Sequence, residues 1–429
     1  MKNYKKVYAA FILAGGLILH GCNGIFDDLA INPNQPSMGA YFTSPSAVND
    51  AVMTMYGYMS TQRCLGASGS KTTIIRSDEA SSNSDYGKPG MFGADLNASY
   101  YTIEQPYTLM YTTASQASYI IETAPSVDFS GNEELRNAYM GEAYFWRAFA
   151  HYYLLINFRN ISPIRQMPRN GDDYVRPLEK PAAVWNFIQE DLAHAKELLP
   201  VKGYWDSKNA GRVTKASAAA LLGKAYLYRS GIEQYYGEDK TTFYSEAAKE
   251  FGDVIDGKYG TYDLTKNYAD NFDVAHENNE ESILEFQFLG DVDNAGFNPG
   301  LATSGLAFDS RGLMLPGAGV GYEGVVHNWL YNAFVNSVDK DGYTDIRMFS
   351  TMIFNDLDAS IHLRNDAGGN PVRLEGPGGY KWEELYPAKN GKEGFATVSN
   401  PLAHSFKAGI RKGIDCSMPT QTEADGTPK

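Results

Sequence analysis

A regular apolar stripe runs through residues 135–153. Leu135, Tyr139, Ala143, Trp146, Ala150 and Tyr153 follow one another at intervals of 4, 4, 3, 4 and 3. Such intervals keep the side chains on one side of an α-helix, so the segment predicts a long amphipathic helix. Similar stripes predict further helices. Residues 46–59 carry Val48, Val52, Met55 and Tyr56, and residues 106–122 carry Met110, Tyr111, Ala114 and Ile121. Residues 181–199 carry Val184, Ile188, Leu192, Ala195 and Leu199, open on Pro181 and close at Pro200, the positions where proline suits a helix start and a helix stop. Ala218, Leu221, Leu222, Ala225 and Tyr226 line another face, and Tyr244, Ala247, Ala248, Phe251, Val254 and Ile255 a last one. One run reads differently: "ESILEFQF", 281–288, has the alternation of a strand. Between Gly290 and Gly324 glycines are frequent, aromatics isolated and no period holds, which predicts long loops on a helical body.

Two of the helical stripes contain the same phrase. "GEAYFWR", 141–147, returns 82 residues later as "GKAYLYR", 223–229, with Gly, Ala, Tyr and Arg in the same places. The tetratricopeptide pattern asks for Leu-Gly, a Tyr three residues after the Gly, then Ala-x-x-x-Phe on a second helix. Leu222, Gly223, Tyr226, Ala247 and Phe251 meet it, and Met140, Gly141 and Tyr144 meet its first half. The usual repeat is about 34 residues, so long insertions interrupt this array. The phrase is scaffold, and function is expected in the insertions. The predicted fold class is mainly α: tetratricopeptide-like helical hairpins packed against an irregular, loop-rich half with little β structure.

The ends of the chain add a compartment. Lys2, Lys5 and Lys6 precede an apolar run over residues 7–19, too short to span a bilayer but suited to a signal peptide. The run ends in "LHGC", and a small residue followed by Cys22 is the cleavage and lipid-attachment pattern of a bacterial lipoprotein, although His20 departs from the usual small residue. The expected organisation is a signal peptide over 1–21 and one domain over 22–429, with its helical scaffold mainly in 40–260 and its loop-rich half mainly in 261–429. Only Cys64 and Cys416 remain, so no disulfide framework is expected in an exported chain. A net charge of −14 argues against nucleic acid as a partner.

Motifs for chemistry do not survive inspection. "GVGYEG", 319–324, has dinucleotide-binding glycines but neither the strand before it nor the alternating elements around it. "HENNE", 276–280, lacks the second His of a zinc helix and reads as a turn. Asp172–Asp173 and Glu190–Asp191 are sequence neighbours, and neighbouring side chains diverge, so neither pair flanks a bond as glycosidase acids must. No metal, cofactor or catalytic set is expected. Aromatics set among polar residues in the aperiodic stretches remain: Tyr86, Phe92, Phe297, Phe308 and Tyr322 are the candidate ligand-binding residues. A sugar needs such rings for its C–H faces and such neighbours for its hydroxyls. Trp329, in "HNWLYNAF", has a helix-like setting that points to the core.

The chain resembles the SusD/RagB family of outer-membrane lipoproteins of Bacteroidota glycan-uptake systems. The resemblance rests on "GCNGIFDDLAINPN", "GEAYFWRAFAHYYLLINFR", "VWNFIQEDLAHAKELLP", "GRVTKASAAALLGKAYLY", "YSEAAKEFGDVIDGKYG", "NYADNFDVAHENNEESILEFQF" and "DGYTDIRM", which stand in family order across residues 22–350. It implies capture of an oligosaccharide without catalysis and delivery to a SusC-like TonB-dependent transporter barrel, on which the protein sits as a lid. It also implies attachment to the outer membrane through a lipid on Cys22, with Asp27 and Asp28 as the signal for surface display. Capture of peptides, or a purely assembling role, are the alternatives. Family members usually continue into another helical segment and a final helical pair; this chain ends in the polar "SMPTQTEADGTPK", so the last pair is expected to be missing.

Overall fold

The computed structural model describes residues 42–61, 63–65, 80–81, 98–167, 175–237, 239–272, 276–287, 325–326, 328–345, 347–348, 352–353, 362–365, 368–369 and 409–410. Six helices form the body: α1 (Pro45–Ser60), α2 (Tyr101–Thr123), α3 (Glu133–Phe158), α4 (Pro181–Leu198), α5 (Lys215–Tyr236) and α6 (Tyr244–Ile255). Each packs on the next in sequence, so the array is built from neighbouring antiparallel contacts. A seventh helix, α7 (Asn328–Asn336), follows later in the chain. Four two-residue strands, β1 (Ala80–Ser81), β2 (Val325–Val326), β3 (Met352–Ile353) and β4 (Gly409–Ile410), pair antiparallel in the order β1-β2-β4-β3. The protein is mainly α.

The helices begin where their first turns find acceptors. Ser44 caps α1, its hydroxyl accepting from Ala47 N–H, with Pro45 in the first turn. The Asn132 amide oxygen accepts from Leu135 N–H at the start of α3, and Glu133 and Glu134 complement the helix dipole there. One boundary differs from expectation. The stripe suggested a start for α2 at Pro106, yet the helix begins at Tyr101 with the proline inside it. Proline removes a single donor from the ladder, and the turn before it still closes: Ile103 and Glu104 N–H donate to the Tyr100 carbonyl at 2.8 and 2.9 Å.

The core lies where α3 meets its neighbours. Ala138, Tyr139, Ala143, Phe145, Trp146, Ala148, Ala150 and Leu154 are all buried, so the middle of α3 is covered on more than a single stripe. The repeated glycines explain the close approach of the helices. A Cβ on Gly141 would sit 2.9 Å from both the backbone nitrogen and Cγ of Leu199; one on Gly223 would sit 2.8 Å from the Phe251 ring. Leu199 follows Ala195 by four residues, as Phe251 follows Ala247. The first hairpin therefore carries its own version of the second-helix signature, Ala-x-x-x-Leu, which the aromatic form of the pattern conceals.

Charged side chains buried between helices are paired. Arg147 grips Asp191 with two hydrogen bonds of 2.7 Å and also reaches Ser118 Oγ and the Arg165 carbonyl. Arg229, its counterpart, donates to Asn186 and Gln189 at 2.8 and 2.7 Å and to Asp239 at 3.2 Å. The two repeated arginines thus clasp α4 from either side. Glu142 is fully buried, where burial pushes its carboxyl up against the pull of the Arg212 guanidinium. It accepts from Arg212 Nε at 2.9 Å and from the Tyr56 hydroxyl at 2.7 Å. Tyr56 in turn accepts from Val213 N–H at 2.8 Å, which ties α1, α3 and the approach to α5 together.

Candidate functional site

Cys22, Tyr86, Phe92, Phe297, Phe308 and Tyr322 lie outside the described residues. Trp329 is described, and its placement corrects the expectation: it stands on α7 with 48% of its surface exposed, while Tyr331 two positions on is the buried ring. A nine-residue helix has one apolar stripe, and here Tyr331 rather than Trp329 occupies its buried side. "ESILEFQF" is also corrected. Residues 281–287 form no strand; they run as an irregular segment across the body. Ile283, Leu284 and Phe286 pack on buried hydrophobic clusters, and the Phe286 ring meets Trp146 at 5.8 Å. The backbone is held by Ser217, whose hydroxyl donates to the Ile283 carbonyl at 2.9 Å.

That segment and two helices line an open cavity of about 390 Å³. Phe145 and Phe149 of α3 supply aromatic wall, and Leu221 of α5, Ile283 and Leu284 the rest of the apolar lining. Polar groups stand around it: Ser217 and Lys224 from α5, and Asn271, Glu281 and Ser282 from the segment side. The Glu281 carboxylate is set by its surroundings. It accepts from Asn271 Nδ2 at 2.9 Å, from Thr265 Oγ1 at 3.1 Å and from Thr265 N–H at 3.2 Å, and the Asn271 bond in particular holds its pKa below the usual carboxylate range. Lys224 forms no ion pair among the described residues; its ammonium lies 5.5 Å from the Tyr228 ring and 6.0 Å from the Tyr152 ring. An apolar floor with convergent donors and acceptors is the usual make-up of a small-molecule site.

Lys224 occupies the place in its phrase that Glu142 occupies in the other, 82 residues earlier. Sequence reasoning treated both as scaffold. A change of charge inside an otherwise repeated phrase was the available signal, since a buried ion pair made by one copy cannot be made by the other.

The remaining candidate chemistry resolves into structure. Asp191 is buried on Arg147 while Glu190 beside it is exposed, so the adjacent acids do diverge. Glu277 and Asn278 form a turn, with His276 at the end of a 3-10 stretch. His151 is fully buried: its Nε2 accepts from Ile164 N–H at 2.9 Å, which leaves Nδ1 to donate to the Arg147 carbonyl at 2.7 Å. Burial pulls this imidazole down to about 3, so it is neutral and structural. Among the described residues no cluster of three or more His, Cys, Asp or Glu could hold a metal ion, and no helix is long and apolar enough to cross a membrane.

Residues 30–227 match the SusD-like family described as starch-binding, associating with the outer membrane. Over that stretch the chain is similar to the SusD-like family. A SusD-like protein of Bacteroides ovatus is 26% identical over 293 residues, covering 67% of this chain and 51% of that protein. Among solved structures, a SusD-like carbohydrate binding protein of Bacteroides fragilis aligns with a TM-score of 0.64 at 17% identity, over 90% of this chain and 71% of that one. A laminarin binding SusD-like protein aligns with a TM-score of 0.59 at 22% identity, over 73% and 67% of the two chains. At these identities the structural likeness is one of fold. The chain spans about half the length of the curated SusD-like relatives it matches.

Proposed function

We propose that the protein is a cell-surface glycan-binding lipoprotein that captures oligosaccharides and delivers them to a SusC-like TonB-dependent transporter of the outer membrane. The observation that carries this reading is a SusD-like helical scaffold whose interhelical charges are all engaged in holding the fold. The cavity between α3, α5 and residues 281–284 joins aromatic wall to both donors and acceptors. A relative of the same fold that binds laminarin supports a glucan as the first ligand to try. In this reading residues 1–21 are a signal peptide, Cys22 carries the lipid, and the mature chain is a single domain that binds rather than cleaves. Tyr86, Phe92, Phe297, Phe308 and Tyr322 remain the proposed aromatic contacts of the loops.

Calorimetric titration of the purified chain with laminarin oligosaccharides and a wider glycan panel tests the binding. Saturable heat with one glycan and no shortened products after incubation is the expected result; heat with none of them, or with peptides alone, contradicts it. Replacing Tyr86, Phe92 or Tyr322 by Ala is expected, for at least one of the three, to weaken binding about tenfold with an unchanged melting temperature. Cys22→Ala is expected to move the protein from the membrane fraction to the soluble one in cells lacking the transporter. A variant that still sediments with outer membranes contradicts the lipid anchor.

A further inference from the structure

The cavity is one end of a longer surface. On α5, Lys224, Tyr228 and Tyr235 follow at spacings of four and seven, which places them on one side of the helix. On α3, Phe149, Tyr152 and Ile156 are three and four apart and face the same groove, where the Tyr152 and Tyr228 rings meet at 5.9 Å. Tyr228 is 39% exposed and Tyr235 84%. Between Leu221, in the cavity wall, and Tyr235, α5 rises roughly 21 Å. The result is a strip of tyrosine faces leading outward from the open cavity.

Its chemistry separates the possible ligands. A protein interface buries an apolar centre with charges depleted there, whereas this strip starts at the Lys224 ammonium, which forms no ion pair with a carboxylate of the described residues. A polyanion would meet the ionised Glu281 at the cavity and a chain of net charge −14. A neutral sugar meets neither obstacle. Its C–H faces stack on rings, and its hydroxyls donate to Glu281 and accept from Lys224. We propose that the α3–α5 face is a glycan subsite on the scaffold itself, separate from the loop aromatics. It takes an extended neutral oligosaccharide, with one end in the cavity and the following residues on Tyr228 and Tyr235. This rests on the glycan-binding reading above.

The test uses the full chain and two probes of equal length, laminarihexaose and a hexameric oligogalacturonate. Tyr228→Ala and Lys224→Met are each expected to weaken laminarihexaose binding about tenfold, and Tyr228→Phe to retain it, with melting temperatures unchanged. Tyr235→Ala, at the most exposed ring, is the check against a folding defect and is expected to weaken binding severalfold. Wild-type binding that all of these variants keep overturns the subsite and leaves the glycan-binding function standing. A wild-type chain that binds no glycan overturns both. Preference for the oligogalacturonate, abolished by Lys224→Met, overturns the neutral class. Variants that lose capture by the transporter while keeping full glycan affinity overturn the subsite in favour of a protein interface.

Discussion

In α3 the phrase Gly-Glu-Ala-Tyr-Phe-Trp-Arg is enclosed by α1, α2 and α4; in α5 the phrase Gly-Lys-Ala-Tyr-Leu-Tyr-Arg is enclosed by α4 and α6 and open beyond. The shared letters do the same work in both. Each glycine admits a neighbouring side chain, and each arginine holds α4. The letters that differ follow the surroundings. Glu142 has Arg212 and Tyr56 across from it and is buried; Lys224 has a cavity across from it and is exposed. Phe145 and Trp146 are buried, while Leu227 and Tyr228 at the matching places are exposed. Four residues past the arginines, His151 and Glu233 are both buried and hydrogen-bonded, one to backbone and the other to Trp185 and Arg159. The lesson is that the two copies share the letters that face other helices and differ at those that face a cavity or solvent.

The comparison is most exposed at the second letter. Glu142→Ala strands the Arg212 guanidinium in the core and is expected to cost about 3–5 kcal/mol, as broken buried ion pairs do. Lys224→Ala is expected to leave the urea unfolding midpoint in place. Equal losses from the two would mean that the copies are not used differently. The arginines sharpen the same contrast. Arg147→Ala leaves Asp191 buried without its partner, at about 3–5 kcal/mol, whereas Arg229→Ala abandons two neutral amides and a carboxylate that keeps 18% of its side chain in solvent, at about 1–3 kcal/mol. Paired urea titrations of the two variants measure the difference, and a larger loss for Arg229 would refute it.

The glycines come next. Gly141→Ala drives a methyl onto the Leu199 backbone, which has nowhere to go, and overpacking of this kind costs about 1–3 kcal/mol. Gly223→Ala meets only the Phe251 ring, a side chain that can turn aside, so a smaller loss is expected. Thermal unfolding of both resolves the order. The last effect is a slope, small near neutral pH. His151 is held down at about 3 in the fold by burial and titrates near 6.5 when unfolded. Between those values the unfolded chain binds the extra proton, so the His151 contribution is fully present above about pH 6.5 and falls as pH drops, by about 1.4 kcal/mol per unit. His151→Gln, compared with wild type between pH 4 and 8, is expected to remove that component. An identical pH dependence in the two proteins would place the ring in water.

Helices were legible because their signal is local. The stripes at 46–59, 181–199 and 244–255 reappear as α1, α4 and α6 within a residue or so, since three- and four-residue spacing needs no partner to be satisfied. The repeated phrase announced hairpins for the same reason, and the match of residues 30–227 to the SusD-like family agrees with it. What lay across from each helix was not written in any segment. Residues 281–287 alternate as a strand does, but alternation becomes a strand only beside another strand; here the neighbours are helices, and Ser217 takes the Ile283 carbonyl instead. The candidate cavity was invisible for that reason, because it needs α3, α5 and this segment at once. Tyr226 and Tyr228 show the limit in two letters of one helix. Tyr226 is half-buried and stacks on Phe243, whereas Tyr228 is exposed against Tyr152 and Lys224. The chain specified that both were rings on α5; only the packing of other elements decided which became scaffold and which was left facing solvent.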